Sequence, residues 1–286
     1  MQWKEVQIFC HSKKAVLFKS VNEYNYFNCS DCDSIFLDTE YLLKIDTGNS
    51  IVKYEYDYWK EELASAKERS YGVALARMAE AIYYCKIPIK KFLDIGTGPG
   101  YFLDAVGNLL PDHISVFYGV ELFPPEIEYR TTSKNYIISD LENLKEKFDC
   151  GICIEVLEHL TPNMVSDLFK KLATVSNREA LYIFNTGLPE YVKHEDIGYL
   201  DPIRRGHLVS YSLKAIDLLA KKYGFVTHRI IGKTWAFALE FTDINPKKDI
   251  RDRIWKTPKH NLDILTDSKM GSVLKILGSE TVRAYN

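Results

Sequence analysis

The sequence predicts an α/β fold: a doubly wound, seven-stranded, mostly parallel sheet, with a small N-terminal β module ahead of it. Two observations carry that expectation. From Lys91 onward, strand-like apolar runs alternate with segments of helical periodicity, the pattern of a parallel sheet covered by helices on both faces. The first of these units is Phe92–Phe102, FLDIGTGPGYF, where an apolar run ends in an acid and glycines follow at Gly96, Gly98 and Gly100. Phe102, Ala105, Val106, Leu109 and Leu110 then fall on one helical face. A strand, a glycine turn and a helix form the place where such sheets hold nucleotide-like ligands.

The 286 residues suffice for one large domain with additions, and a hydrophobic fraction of 46% can build its core. A formal net charge of -2 provides no general attraction to nucleic acid or to anionic membrane. There is no apolar run of 18 residues, and MQWKEVQIFC lacks the features of a signal peptide. Six cysteines (Cys10, Cys29, Cys32, Cys85, Cys150, Cys153) do not form a disulfide framework in a chain of this length. A reduced, cytoplasmic protein without membrane contact is expected.

Four segments are expected: 1–45, 46–90, 91–242 and 243–286. The first is a zinc-ribbon-like module. Cys29 and Cys32 form a C-x-x-C knuckle, Cys10 lies 19 residues earlier and His11 follows it. Strand-like VLFKSVNEYNYFNC separates them, and two knuckles across a hairpin make a zinc ribbon. The first knuckle is broken at Gln7, so the ligands would be Cys10, His11, Cys29 and Cys32; a degenerate module that folds by packing is the other reading. Residues 46–90 form a helical lid or linker with an apolar stripe of Leu75, Met78, Ala79 and Ile82. Tyr56, Tyr58 and Tyr71 are its candidates to face a ligand, or else to pack between module and core.

Strands are expected at 91–95, 116–121, 136–139, 148–155, 180–185, 226–231 and 235–241, the last two as an antiparallel edge hairpin. Thr161 and Pro162 start a helix with Val165, Leu168, Phe169 and Leu172 inward; Ser212 caps another that Gly224 stops. Cys150 and Cys153 repeat the C-x-x-C spacing inside a strand, where they point to opposite faces and pack in the core. Residues 243–286 are polar with one helical piece near 268–277; they cover the core, make a homodimer contact or move freely.

The glycine spacing separates two ligand classes. A dinucleotide turn reads G-x-G-x-x-G, whereas this chain reads D-x-G-x-G-x-G with Asp94 at its head. An acid there would repel a diphosphate and suits a cationic ligand. Glu121 ends the second strand, 27 residues after Asp94, and Asp140 ends the third. This set resembles the motifs of class I S-adenosylmethionine (SAM)-dependent methyltransferases, a Rossmann-like family. The resemblance implies SAM over Gly96, Thr97, Gly98 and Gly100, its amino-acid end near Asp94, its ribose at Glu121 and Leu122, its adenine at Asp140 and Leu141, and Glu155 shaping the pocket. The N-terminal cysteines resemble the zinc-ribbon module of bacterial methyltransferases acting on polysaccharides and small metabolites.

The fourth strand leads into Glu155-Val-Leu-Glu158-His159, and His207 follows the fifth strand. In one reading these residues shape the pocket and cap the next segment. In the other, Glu155, Glu158, His159 and His207 hold Mg²⁺, Mn²⁺ or Zn²⁺, as in the small-RNA 2′-O-methyltransferases and ubiquinone-pathway O-methyltransferases they resemble. Without metal, His207 or His159 is the candidate general base and His194 the alternative, with Tyr199, Arg204 and Arg205 near the acceptor. The expected activity is O-methylation of a small hydroxyl-bearing acceptor: a sugar, nucleotide sugar or related metabolite. An RNA 2′-O-methyltransferase, a SAM-binding regulatory subunit without turnover and an NAD-dependent dehydrogenase are the rivals. The first lacks a basic groove in the composition, and the last is disfavoured by the glycine spacing.

Overall fold

The computed structural model describes residues 14–49, 51, 56–244, 249–265 and 271, with side chains at 56–59 and 61 excepted. The chain begins with β1 (Ala15–Val21), β2 (Tyr24–Cys29) and β3 (Ile35–Leu37). Helices α1 (Thr39–Asp46), α2 (Tyr56–Tyr71) and α3 (Val73–Tyr84) follow. Strands β4 (Phe92–Ile95), β5 (Phe117–Glu121), β6 (Tyr136–Ile138), β7 (Phe148–Ile154) and β8 (Ser176–Asn185) then alternate with helices, among them α4 (Tyr101–Leu109) and α5 (Pro162–Thr174). After β8 come α6 (Pro189–His194), β9 (Val209–Ser210), α7 (Leu213–Ala220), β10 (Phe225–Arg229), β11 (Ala236–Phe241) and α8 (Lys259–Leu265). No described helix is long and apolar enough to cross a membrane.

The main sheet has seven strands in the order β10-β11-β8-β7-β4-β5-β6. Strands β4 to β8 run parallel, while β11 lies antiparallel to both β8 and β10. This is the expected sheet, with the edge hairpin where the short Gly232-Lys233 connection requires it. All the parallel strands therefore end on one edge, which gathers their terminal residues. The alternation of side chains divides the core between the two faces. Cys150, Ile152, Leu181 and Ile183 pack with α3 and α4, whereas Cys153, Tyr182 and Phe184 pack with α5, α7 and the N-terminal strands. The two strand cysteines thus lie in separate clusters.

The helices begin where their caps dictate. Thr161 Oγ1 accepts the Met164 amide at 3.3 Å, with Pro162 in the first turn, and α5 buries Val165, Phe169 and Leu172. Ser212 Oγ accepts the Ala215 amide at 3.2 Å, and Gly224 closes the following turn at φ +83.

The N-terminal strands are not a free-standing unit. They form a four-stranded sheet, β1-β2-β3-β9, whose last member comes from the loop after β8. Ile35 pairs with Ser210, and Phe36 with Val209. A strand of only two residues, VS, has no periodicity to announce it in sequence; its partner creates it. The buried Tyr26 hydroxyl donates to the His207 carbonyl at 2.6 Å, and the Leu208 amide donates to the Glu158 carbonyl at 2.6 Å. Cys29 and Cys32 are buried and not joined in a disulfide, while Cys10, His11, Tyr56 and Tyr58 as ligand or cavity candidates lie outside the described residues, as does most of 268–277.

The C-terminal extension covers α3 and the hairpin. Asn261 accepts the Ile89 amide at 2.9 Å and donates to the Ile87 carbonyl at 3.0 Å. Arg253 donates to both oxygens of the fully buried Glu240, at 3.1 and 2.8 Å, beside Lys86 and His228. Burial alone would raise the Glu240 carboxyl, but the hydrogen bonds from His228 and Arg253, the Arg253 charge and Lys86 hold it at about 2. A depressed acid contributes stability above its ordinary value of 4.5 and loses it as pH falls toward about 2. The urea midpoint of the wild-type chain should fall over that window. Arg253→Met should flatten that fall and lower stability at neutral pH by about 2 kcal/mol, read from urea titrations at several pH values.

Candidate active site

A cavity of about 630 Å³ opens at the carboxyl edge of the sheet, a size within the ~300–1,000 Å³ of small-molecule sites. Its floor is the turn after β4 together with Glu121 and Phe123 after β5. Ala66, Arg69 and Ser70 of α2 and Ala74 of α3 also line it.

The turn is built for close approach. Gly96 has φ +70, and a Cβ there would stand 2.6 Å from Val156 Cγ2. Thr97 Oγ1 donates to Asp94 Oδ2 at 2.6 Å. Glu121 accepts the Gly98 amide on one oxygen at 2.8 Å and the Leu122 and Phe123 amides on the other at 2.9 Å. One carboxylate therefore ties the tips of β4 and β5 together. Burial pushes Asp94 up to about 7; the Thr97 hydroxyl opposes that rise and the Glu121 charge adds to it. Burial also raises Glu121, against three backbone donors.

Asp94, Glu121 and Glu155 all line the cavity, and Arg69 is the one Lys or Arg side chain among its described lining residues. Arg69 is itself engaged with Glu62 at 3.0 Å. Carboxylates kept from water without a protein cation favour a cationic ligand.

At the tip of β7, Glu155 sits at φ +52, a left-handed conformation strained for a non-glycine residue. Its amide donates to the Asn185 carbonyl at 2.9 Å, and its Oε1 accepts from Asn185 Nδ2 at 2.8 Å. Glu158, His159 and His207 converge, with one ligand atom of each within 4.8 Å of the others. Glu155 is not part of that group. Glu158 is fully buried; its Oε1 accepts from the Tyr199 hydroxyl at 2.9 Å, and its Oε2 has no hydrogen-bond partner among the described residues. Burial, and then the neighbouring Glu155, raises the Glu158 carboxyl well above its ordinary value. His207 Nδ1 donates to the Tyr199 carbonyl at 2.8 Å, and its Nε2 lies 3.9 Å from Glu158 Oε1. His159 Nδ1 lies 3.2 Å from the Gly206 carbonyl, and the two imidazoles meet edge to face at 4.8 Å. Burial lowers both; His159 is held at about 4, so both rings are neutral at physiological pH. His159 faces the cavity, whereas His207 stands behind it between Gly206 and Leu208.

Other expected positions lie elsewhere. Gly100 caps α4, Leu122 is exposed and contributes its amide to Glu121, and Leu141 is buried beside the tip of β6. Asp140 accepts from Lys171 Nζ at 2.6 Å; neither it nor Leu141 lines the cavity. Tyr71 is exposed and accepts from Asn108, His194 and Arg204 are exposed, and Arg205 pairs with Asp196 at 2.9 Å. Sequence reasoning overlooked Asn185, Arg69 and Tyr26. Tyr26 and Asn185 act through partners distant in the chain, and Arg69 through the cavity it lines; Asn185, the polar end of the fifth strand, is a signal visible in the sequence.

The family model described as a methyltransferase domain matches residues 56–230, more than half of the chain and all of the elements that build this cavity's floor. The chain belongs to this methyltransferase family. No curated protein matches it, but solved structures do. A candidate O-methyltransferase of Nostoc punctiforme shares 14% identity and a TM-score of 0.50 over 69% of this chain and 66% of that one. The amino pentose methyltransferase CalS10 of Micromonospora echinaspora, with SAM bound, shares 14% identity over 67% and 99% of the two chains at a TM-score of 0.48. The plantazolicin methyltransferase BpumL, in complex with S-adenosylhomocysteine (SAH), shares 15% identity over 83% and 93%, also at 0.48. At these identities the likeness is one of fold.

The methyltransferase's cavity fits SAM on its own chemistry: a sulfonium and an ammonium would meet buried carboxylates over a glycine turn. Asp94 then makes affinity depend on pH. Its proton must leave before it can pair with an ammonium, so SAM affinity should rise with pH through about 7 and level off above it. Asp94→Asn should weaken SAM binding roughly ten- to a hundredfold at pH 8 and abolish the pH dependence, as read by calorimetric titration.

Proposed function

We propose that this methyltransferase moves the methyl group of SAM to a hydroxyl oxygen of a small molecule. The observation that carries the reading is the buried cluster of Glu158, His159 and His207 beside the carboxylate-lined half of the cavity. A hydroxyl is a weak nucleophile until its proton is shared, and a neutral imidazole facing the cavity can take that proton. The acceptor oxygen forms the new O–C bond as the C–S bond breaks. The sulfonium becomes a neutral thioether, and the acceptor proton passes to His159. Tyr199 and the Tyr199 carbonyl orient Glu158 and His207 behind it. Asp94, Glu121 and Glu155 bind and orient the cofactor. The sequence resemblance points to sugars, nucleotide sugars and related small metabolites as one acceptor class, and the cavity lining bears on that choice below.

A second reading rests on the unpartnered Glu158 Oε2. A carboxylate oxygen of Glu158, with a nitrogen from each histidine, is a donor set suited to a divalent cation. Such an ion would lower the acceptor hydroxyl's pKa and would favour the ionised Glu158.

SAM should raise the melting temperature of the purified chain, and NAD should not. Glu158→Gln and His159→Ala should each keep that shift while methyl transfer, followed by product mass spectrometry, falls at least about a hundredfold. Full turnover in both variants would remove the cluster from the reaction. Loss of turnover in chelator, restored by Mg²⁺ or Mn²⁺, selects the metal reading; chelator-insensitive turnover selects the imidazole alone.

A further inference from the structure

We infer that the acceptor is a hydroxyl on an apolar body, such as an alkyl-substituted phenol, and not a sugar or nucleotide. The inference rests on the methyl-transfer reading above and narrows its substrate class. It comes from the two chemically different sets of side chains that line the cavity. Every carboxylate that lines the cavity, Asp94, Glu121 and Glu155, stands at the tips of β4, β5 and β7. A second, aliphatic part of the lining is assembled from three separate parts of the chain. Ile45 and Ile51 come from α1 and its continuation, Leu160 and Met164 from the start of α5, and Pro202 and Leu208 from the loop before β9.

Besides the carboxylates, the described lining residues offer the polar side chains of Arg69, Ser70, Thr97 and His159, and only His159 belongs to the same stretches as the aliphatic residues. The Gly206 carbonyl beside it already faces His159 Nδ1 at 3.2 Å. A sugar ring would bring several hydroxyls against aliphatic carbon, and each would exchange water for no partner. A sugar nucleotide would also bring a diphosphate toward three carboxylates, with only Arg69, already engaged with Glu62, to offset it. An apolar body loses nothing by leaving water and gains contact with all six aliphatic side chains. Its one hydroxyl would then lie at the polar end, next to His159.

The aliphatic part of the lining is also preformed. The end of α1 is pinned to the start of α5 through Asp46, which accepts from the Thr161 hydroxyl and, at 2.7 Å, from Asn163 Nδ2. The Tyr211 hydroxyl holds the Leu160 carbonyl at 2.7 Å. Ordered apolar surface selects by length and shape, so affinity should grow with the length of an alkyl chain.

The test is calorimetric titration of the full chain with phenol, 4-propylphenol, 4-hexylphenol and UDP-glucose, both with saturating SAH and without it. Affinity should rise along the phenol series by up to about fourfold per methylene, and UDP-glucose should bind more weakly than 4-hexylphenol. Met164→Glu and, separately, Leu160→Asn should remove most of the chain-length gain while SAH affinity stays as in wild type. A phenol series with no dependence on length, tighter binding of UDP-glucose, or a gain that survives in both folded variants would overturn the inference. Failure of SAH itself to bind would instead count against the methyl-transfer reading, and the titrations without SAH would still measure the aliphatic lining.

Discussion

The constraint on which the rest of this structure depends is the burial of carboxylates at the strand tips. Asp94, Glu121 and Glu158 are all withdrawn from water, and among the described residues none is paired with a lysine or arginine. They are held instead by dipoles: the Thr97 hydroxyl for Asp94, three backbone amides for Glu121, the Tyr199 hydroxyl for Glu158. Dipoles stabilise an anion less than a full cation does, which leaves these groups raised in pKa and receptive to a positive ligand. The parallel sheet makes the arrangement unavoidable. Strands that run the same way finish on the same edge, and each of β4, β5 and β7 carries an acid within one residue of its end.

Around that edge the chain builds a second, less regular half. The N-terminal sheet, the loop after β8 and the turn after β7 are joined through the backbone in a short relay. Tyr26 holds the His207 carbonyl, Leu37 the Leu208 carbonyl, and Leu208 the Glu158 carbonyl. Two residues of the proposed chemistry, Glu158 and His207, are thus fixed by a strand that exists only because the N-terminal module supplies its partner. Any displacement of the module would shift both together.

Much of this was legible in the chain. The glycine turn, the alternation of strands and helices, the caps at Thr161 and Ser212 and the terminal hairpin are local features, decided by residues within a few positions of one another. The grouping of Glu158 with His159 and His207 was also readable, because adjacent strands in the expected topology bring their tips together. Asp140 was the least well placed of the expected cofactor residues, since its neighbour Lys171 lies on α5, a helix away in sequence. The C-terminal extension had no visible role until Arg253 and Asn261 were seen to satisfy buried groups on β11 and the segment after α3.

By itself, then, the sequence determined the fold class, the methyltransferase family and the glycine turn with its acids at the strand tips. Local periodicity and backbone freedom at glycine act over short stretches and do not wait for tertiary contacts. Only the tertiary structure decided that β9 forms at all and that His159 and not His207 lines the cavity. It alone assembled the aliphatic wall, because six side chains from three distant segments form one surface only when the packed core has brought those segments together.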